Sequence, residues 1–135
     1  MDTCADHFQI TPQNLVQHIT AKSKAILLNS PNNPTGAVYT PESLDAVYQV
    51  AKEKNLFVLC DDVYAQLVYG PYQSFSRYQD IRDKIILIQS FSKPYAMTGW
   101  RLGDLCADRP VIEQLANRIL YRGFCLFLQK AVRPR

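Results

Sequence analysis

Three short, continuous runs of apolar residues constrain the fold of this chain more than any other feature. They are AILLN (Ala25–Asn29), LFVLC (residues 56–60) and IILIQ (residues 85–89). An uninterrupted apolar run of this length is typical of a strand buried on both faces, as in a parallel sheet. Parallel strands need crossover connections, and the segments between the runs have helical spacing. The sequence therefore predicts an α/β fold, with a partial, mainly parallel sheet and flanking helices.

Two of the intervening segments carry signals for the start of a helix. In each, a threonine that can cap the helix precedes a proline, which suits the first helical position: Thr11-Pro12 and Thr40-Pro41. The apolar residues at helical spacing are Leu15 and Ile19 in the first helix, and Leu44, Val47, Tyr48 and Ala51 in the second, which Asn55 closes. The remaining predicted elements are a fourth strand over residues 102–107 and a helix over residues 110–121 that buries Ile112, Leu115 and Ile119.

Length and composition exclude several classes of protein. With 135 residues, 47% apolar and 20% charged, the chain has the balance of one globular domain. Its formal charge of +3 comes from scattered basic residues, so we predict no nucleic-acid partner. No apolar run approaches the ~20 residues of a membrane span, and the start, MDTCADHFQI, lacks the order of a signal peptide. A cytoplasmic protein without membrane contact is predicted.

The cysteine and histidine residues form no metal-ligating pattern. They are Cys4, Cys60, Cys106 and Cys125, which lie far apart, and His7 and His18, which fit no ligand spacing. We predict reduced, mostly buried thiols and no metal site.

Polar residues of several chemical types follow the predicted strands. Asn33 follows the first strand, Asp61 the second and SFSK (residues 90–93) the third, with Arg101 further along. The carboxyl ends of parallel strands share one edge of the sheet, where α/β proteins bind ligands. The set suits pyridoxal phosphate, which needs a lysine for its aldehyde, a carboxylate for its ring nitrogen, and hydroxyls and an arginine for its phosphate. Pyridoxal 5'-phosphate is therefore a candidate cofactor.

Taken singly, these residues also have simpler interpretations. Lys93 is typical of a solvated loop lysine, and Asn33 with Pro34 favours a turn. The other simple roles are a helix cap for Asp61 or Asp62, backbone hydrogen bonds for Ser90 and Ser92, and a surface ion pair between Arg101 and Asp104. The full set of residues, in this order along the chain, distinguishes a cofactor site from these simpler roles.

The motifs NSPNNPTGAVYT, CDDVYAQL and SFSKPYAMTGWRLG, in this order, resemble class I/II aminotransferases of the fold-type-I group of pyridoxal phosphate enzymes. The resemblance begins at FQIT and covers nearly the whole chain. It implies transfer of an amino group from an α-amino acid to a 2-oxo acid, and these two small molecules are the implied substrates.

The resemblance implies two catalytic residues. Lys93 matches the lysine that bonds covalently to the cofactor aldehyde and, once substrate displaces it, moves a proton between the substrate α-carbon and the cofactor. Asp61 matches the aspartate that pairs with the pyridine nitrogen and keeps it protonated. Asp62 stands where the family more often has glutamate, and we assign it no direct cofactor role.

Four further residues match cofactor ligands of the family. Asn33 and Tyr64 match the residues that hydrogen-bond the phenolic oxygen of the ring. Ser90 and Arg101 match the phosphate ligands, where a charge-assisted guanidinium contact is the strong component. The residues expected only to shape the loop are Ser92, a weaker phosphate candidate, and Gly99 and Gly103, which would let the chain turn and approach the ligand.

Members of the family are much longer than this chain. The resemblance implies that residues 1–135 are a fragment of the large, pyridoxal phosphate-binding domain, without its N-terminal part and the C-terminal small domain. We expect the full-length protein to be a homodimer, and we do not expect this chain alone to catalyse transamination. Two alternatives stay open: a carbon–sulfur β-lyase that uses the same cofactor, and a non-catalytic fragment that packs against a partner chain.

Overall fold

The computed structural model describes residues 1 and 3–120 of the chain. This part contains four strands and three α-helices. The strands are β1 (Ala25–Asn29), β2 (Phe57–Asp61), β3 (Ile85–Ser90) and β4 (Gly103–Cys106), and the helices are α1 (Pro12–His18), α2 (Pro41–Lys54) and α3 (Arg109–Leu120). Within these residues no helix is both long enough and apolar enough to cross a membrane.

The strands form one sheet in the order β1-β2-β3-β4. The first three strands are parallel, and β4 runs antiparallel to β3. The predicted α/β fold with a mainly parallel sheet is confirmed. The last strand reverses because the connection, residues 91–102, contains only one short 3-10 turn, Thr98–Trp100, and no helix that could cross the sheet.

The end of α2 sets the start of β2. Asn55 has a left-handed backbone (φ 52°), and the N–H of Leu56 donates to the carbonyl oxygen of Ala51 at 2.9 Å. Leu56 therefore belongs to the C-terminal cap of the helix. As a result, strand pairing begins at Phe57, one residue later than predicted, and Asp61 becomes the last residue of β2.

Both predicted threonine caps are present. The Oγ1 atom of Thr11 accepts a hydrogen bond from the N–H of Asn14, and that of Thr40 accepts from the N–H of Ser43, each at 3.3 Å. The first helix ends at His18, so Ile19 lies just beyond it yet still packs against the core.

The buried core lies on one face of the sheet. Alternate residues of the strands point to this face and are covered by α1, α2 and the segment that precedes β3. The buried members of this cluster are Ile10, Leu15, Leu28, Leu44, Val47, Ala51, Val58, Cys60, Phe75, Tyr78, Ile81 and Ile85. This face holds the described elements together.

The other face of the same strands is less covered. Leu27 is 67% exposed, whereas its neighbour Leu28 is 3% exposed. The residues that align with Leu27 on the next two strands, Leu59 and Ile86, are half-buried. Because side chains alternate along a strand, Asp61 belongs to this second face.

The prediction that the cysteine thiols are mostly buried is wrong for the described cysteines. Among the described cysteines only Cys60 is buried, and this burial raises the pKa of its thiol. Cys4 and Cys106 are exposed, the latter because it ends β4 at the edge of the described sheet. Cys125 lies outside the described residues.

The third helix is placed as predicted to within one residue at its start, but it is not deeply buried. Ile112 and Leu115 are half-buried, not buried as predicted. The side chain of Ile119 and the predicted helix end at Tyr121 lie outside the described residues. Among the described residues, the hydrophobic core cluster and the side chains packed against it include none from α3.

Candidate active site

The carboxyl ends of β1 and β2 bring two polar side chains together. Asn29 ends β1 and is paired in register with Asp61, the last residue of β2. The Nδ2 atom of Asn29 donates to Oδ2 of Asp61 at 2.8 Å, and the N–H of Val63 donates to Oδ1 at 3.4 Å. Each carboxylate oxygen of Asp61 is therefore held by one donor and keeps acceptor capacity for another.

A second group of predicted residues meets in the loops beyond the strands. The Nδ2 atom of Asn33 donates to the hydroxyl oxygen of Tyr64 at 3.1 Å. The Nζ atom of Lys93 lies 5.9 Å from the centre of the Tyr64 ring, within the range of a cation–π contact. Asn33 and Lys93 are exposed and Tyr64 is half-buried, so all three can reach a ligand from solvent.

The neighbouring aspartate, Asp62, occupies a different environment. It is 8% exposed and accepts a hydrogen bond from Oγ of Ser74 at 3.2 Å. Burial raises the pKa of the Asp62 carboxyl, an effect that hydrogen bonds from Tyr72 and Ser74 oppose and the nearby Asp61 charge reinforces. Asp62 thus ties the turn after β2 to the segment around Ser74, and Asp61 is the aspartate on the open side.

The loop between β3 and β4 forms the third part of the site. Ser90 is paired with Gly103, and the N–H of Phe91 donates to the carbonyl oxygen of Leu102 at 3.2 Å. This pairing returns the chain to the end of β3, so that Arg101 lies immediately beyond the paired residues. The structure therefore places Ser90 and Arg101, eleven positions apart in the sequence, at the mouth of one loop.

Arg101 does not form the surface ion pair with Asp104 that its simpler interpretation requires. Its Nη1 atom instead donates to the carbonyl oxygen of Thr98 at 3.1 Å, and the side chain is exposed. The residue has a left-handed backbone (φ 53°) at the end of the 3-10 turn. A guanidinium held by one carbonyl retains donors for an anion.

The glycine and serine neighbours have local roles. A Cβ atom on Gly103 would lie 2.7 Å from the carbonyl oxygen of Gln89, so this glycine permits the close approach of β4 to β3. A Cβ on Gly99 would meet open space. Ser92 is buried, and its N–H donates to Oγ of Ser90 at 3.1 Å, which agrees with a loop-shaping role.

Asn29 is the site residue that the sequence interpretation missed. A detectable signal existed, because Asn29 is the polar residue that closes the first apolar run predicted to be a strand. In a parallel sheet, strand ends align, so the last residue of β1 is expected beside the last residue of β2.

Comparison with protein families identifies relatives over almost the whole chain. The family model "Aminotransferase class I and II" matches residues 2–133. Aspartate aminotransferase of Bacillus subtilis (strain 168) is 37% identical over 115 residues, which are 83% of this chain and 29% of that protein. Aromatic-amino-acid aminotransferase 2 of Thermococcus litoralis is 36% identical over 130 residues, 93% of this chain and 33% of that protein.

Solved structures agree with the sequence relatives. An aromatic aminotransferase from Pyrococcus horikoshii OT3 superimposes with a TM-score of 0.82 at 34% identity, covering 87% of this chain and 32% of the other. Thermus thermophilus aspartate aminotransferase with maleate gives a TM-score of 0.79 at 35% identity, with coverage of 85% and 30%. The chain thus spans only about a third of the length of the relatives that it matches.

The family match, the parallel strands and the polar residues at their carboxyl ends all lead to one assignment. The chain belongs to the class I and II aminotransferase family.

Proposed function

We propose that the protein containing these residues is a pyridoxal phosphate-dependent aminotransferase that moves an amino group from an α-amino acid to a 2-oxo acid. The observation that carries the proposal is the convergence of Asn33, Tyr64 and Lys93 beside the strand end that bears Asp61. Amide, phenol and amine meet there although the sequence disperses them, and the Asp61 carboxylate ends the strand that leads to Tyr64. Membership of the family supports the same reaction.

The chemical types of these donors and acceptors fit pyridoxal phosphate. Asp61 offers an acceptor for the ring N–H, Asn33 and Tyr64 suit the phenolic oxygen, and Ser90 with Arg101 suits the phosphate. When bound, the cofactor supplies an electron-accepting ring that stabilises negative charge on the substrate α-carbon.

Lys93 is proposed to act twice. Its amine would form the covalent link to the cofactor aldehyde, for which its exposed position at the loop is suitable. The same amine, when free, would move the proton at the substrate α-carbon. One residue is thus both anchor and general acid–base.

Asp61 and the Asn33–Tyr64 pair are proposed to set the charge distribution around the ring. Asp61 would accept from the ring N–H and favour its protonated form, and Asn29 and Val63 hold the carboxylate in place. Tyr64 and Asn33 already share a hydrogen bond, so their polar atoms are directed to the same place before a ligand arrives. Preorganised groups of this kind lower the barrier without rearranging.

The alternatives receive less support. The relatives described above are aminotransferases, and no contact within residues 1 and 3–120 favours a carbon–sulfur β-lyase. A non-catalytic role is the alternative that cofactor binding tests directly. We further propose that residues 1–135 are part of the large cofactor-binding domain, that the full-length protein is a homodimer, and that it is cytoplasmic.

Covalent capture of the cofactor tests the role of Lys93. Incubation of the protein with pyridoxal phosphate followed by borohydride converts the reversible link to a permanent one, and peptide mapping then locates it. We expect the label on Lys93 alone and its loss in Lys93→Ala.

Lys84 provides a matched control, because its amine also lies near an aromatic ring, 5.0 Å from the centre of the Phe57 ring. Lys84→Ala should leave the labelling unchanged. Label on Lys84, Lys22 or Lys24 in place of Lys93 would contradict the proposal, and an absence of label would favour the non-catalytic alternative.

A further inference from the structure

We propose that Asn29 is a positioning residue for Asp61, and that a relay running from Thr35 through Asn32 fixes which end of the Asn29 amide faces the carboxylate. This inference rests on the proposed function, in which Asp61 accepts from the ring nitrogen of pyridoxal phosphate. It adds to that function a role for the loop after β1 in orienting the carboxylate.

The relay consists of consecutive hydrogen bonds between half-buried or exposed polar groups. The N–H and the hydroxyl of Thr35 both donate to Oδ1 of Asn32, at 3.3 and 2.8 Å. The Nδ2 atom of Asn32 donates to Oδ1 of Asn29 at 2.5 Å. The Nδ2 atom of Asn29 then donates to Oδ2 of Asp61 at 2.8 Å.

A backbone N–H sets the direction of the whole relay. An asparagine amide can be turned end for end, so its orientation depends on its partners. The N–H of Thr35 can only donate, so the end of the Asn32 amide that faces it must be the oxygen, and the Thr35 hydroxyl donates to the same oxygen. Asn32 must therefore present its oxygen to Thr35 and its nitrogen to Asn29.

The same logic carries the direction to the carboxylate. With its oxygen engaged by Asn32, Asn29 has only its nitrogen to offer Asp61. The N–H of Val63 holds the other carboxylate oxygen. Two donors of fixed position restrict rotation of the Asp61 carboxylate, which directs its remaining lone pairs to one place.

Asn32→Asp tests the direction of the relay. The substituted carboxylate can still accept from Thr35, but it cannot donate to Asn29. We expect the Asn29 amide to turn, bringing its oxygen against Asp61 and displacing that carboxylate. Asn32→Ala also removes the donor to Asn29, but it does not force the Asn29 amide to turn. Its effect on Asp61 should therefore be in the same direction and smaller.

The readout is the preference of the 135-residue chain for pyridoxal phosphate over its 1-deaza analogue, in which carbon replaces the ring nitrogen. Both dissociation constants are measured by absorbance titration. Only the natural cofactor can donate to Asp61, so the ratio of the two constants reports this contact. We expect Asn32→Asp to reduce the preference by roughly tenfold, the effect of one charged hydrogen bond.

Asn14→Asp is the matched control. The Nδ2 atom of Asn14 donates to Oδ2 of Asp6 at 2.5 Å, so this variant makes the same substitution at another asparagine–aspartate pair. It should leave the preference unchanged, and circular dichroism verifies that each variant is folded.

Each remaining outcome overturns a definite statement. If Asn32→Asp and Asn32→Ala weaken the binding of both compounds equally, Asn32 has a merely structural role. That result would overturn this inference alone. An unchanged preference in both variants would also overturn it. Failure of the unsubstituted chain to bind pyridoxal phosphate would overturn the proposed cofactor binding, and the inference with it.

Discussion

The two faces of the sheet differ in what their side chains do. On the face toward α1 and α2, Leu28 and Val58 are 3% and 0% exposed. On the other face, Leu27 is 67% exposed although it is the immediate neighbour of Leu28. The same apolar strands therefore present one packed surface and one open surface, and the proposed site lies along the rim of the open one.

The consecutive residues Asp61 and Asp62 show the same difference between the two faces. Asp62 accepts a hydrogen bond from Ser74, and burial raises the pKa of its carboxyl. Asp61 is half-buried beside Asn29. Because consecutive residues of an extended chain point to opposite sides, one carboxylate serves the packed structure and the other remains available to a ligand.

The largest effect should come from placing a charge on the packed face. Leu28→Asp is expected to lower the free energy of unfolding by about 4 kcal/mol or more, because it buries an unpaired carboxylate. Leu27→Asp, its neighbour on the open face, should change it by less than about 1 kcal/mol. Urea unfolding followed by circular dichroism measures both, and equal losses would mean that the faces do not differ as described.

An intermediate effect should separate the two aspartates in catalysis. In a version of the protein extended to the length of its relatives, Asp61→Asn should retain cofactor but slow transamination by roughly 10²–10³, the usual effect of removing one preorganised electrostatic contact. Asp62→Asn is the matched variant on the packed side and should leave the rate nearly unchanged. A slow Asp62→Asn enzyme with a normal Asp61→Asn enzyme would reverse the assignment.

The smallest effect should be a pH dependence of stability that comes from Asp62. Its pKa in the folded protein is raised above the ordinary 3.8, mainly by burial. The stabilising contribution is therefore complete below pH 3.8 and is lost as the pH rises through the folded-state pKa. The side chain stays neutral in Asp62→Asn. The free energy of unfolding of this variant should therefore increase relative to that of the original protein as the pH rises through the folded-state pKa.

Urea unfolding at a series of pH values measures that difference. Parallel curves for the two proteins would show that the Asp62 carboxyl titrates no differently in the folded and unfolded states. The surroundings of Asp62 on the packed face and of Asp61 on the open face would then differ less than the geometry indicates.

Local chemistry made much of the fold predictable. Continuous apolar runs located β1, β2 and β3 to within one residue, and the Thr11 and Thr40 caps located the starts of α1 and α2. The candidate site residues Asn33, Asp61, Tyr64, Ser90, Lys93 and Arg101 followed from strand ends and from the family motifs. These features depend on near neighbours in the chain, whose identities the sequence lists directly.

Pairing between distant segments decided the rest. The reversal of β4, the need for glycine at Gly103 and the contact between Asn29 and Asp61 all arise from strand register. The different burial of Leu27 and Leu28 depends on which face the helices cover, and two adjacent leucines are chemically identical before folding. Register and coverage are properties of contacts between remote residues, so only the tertiary structure could decide them.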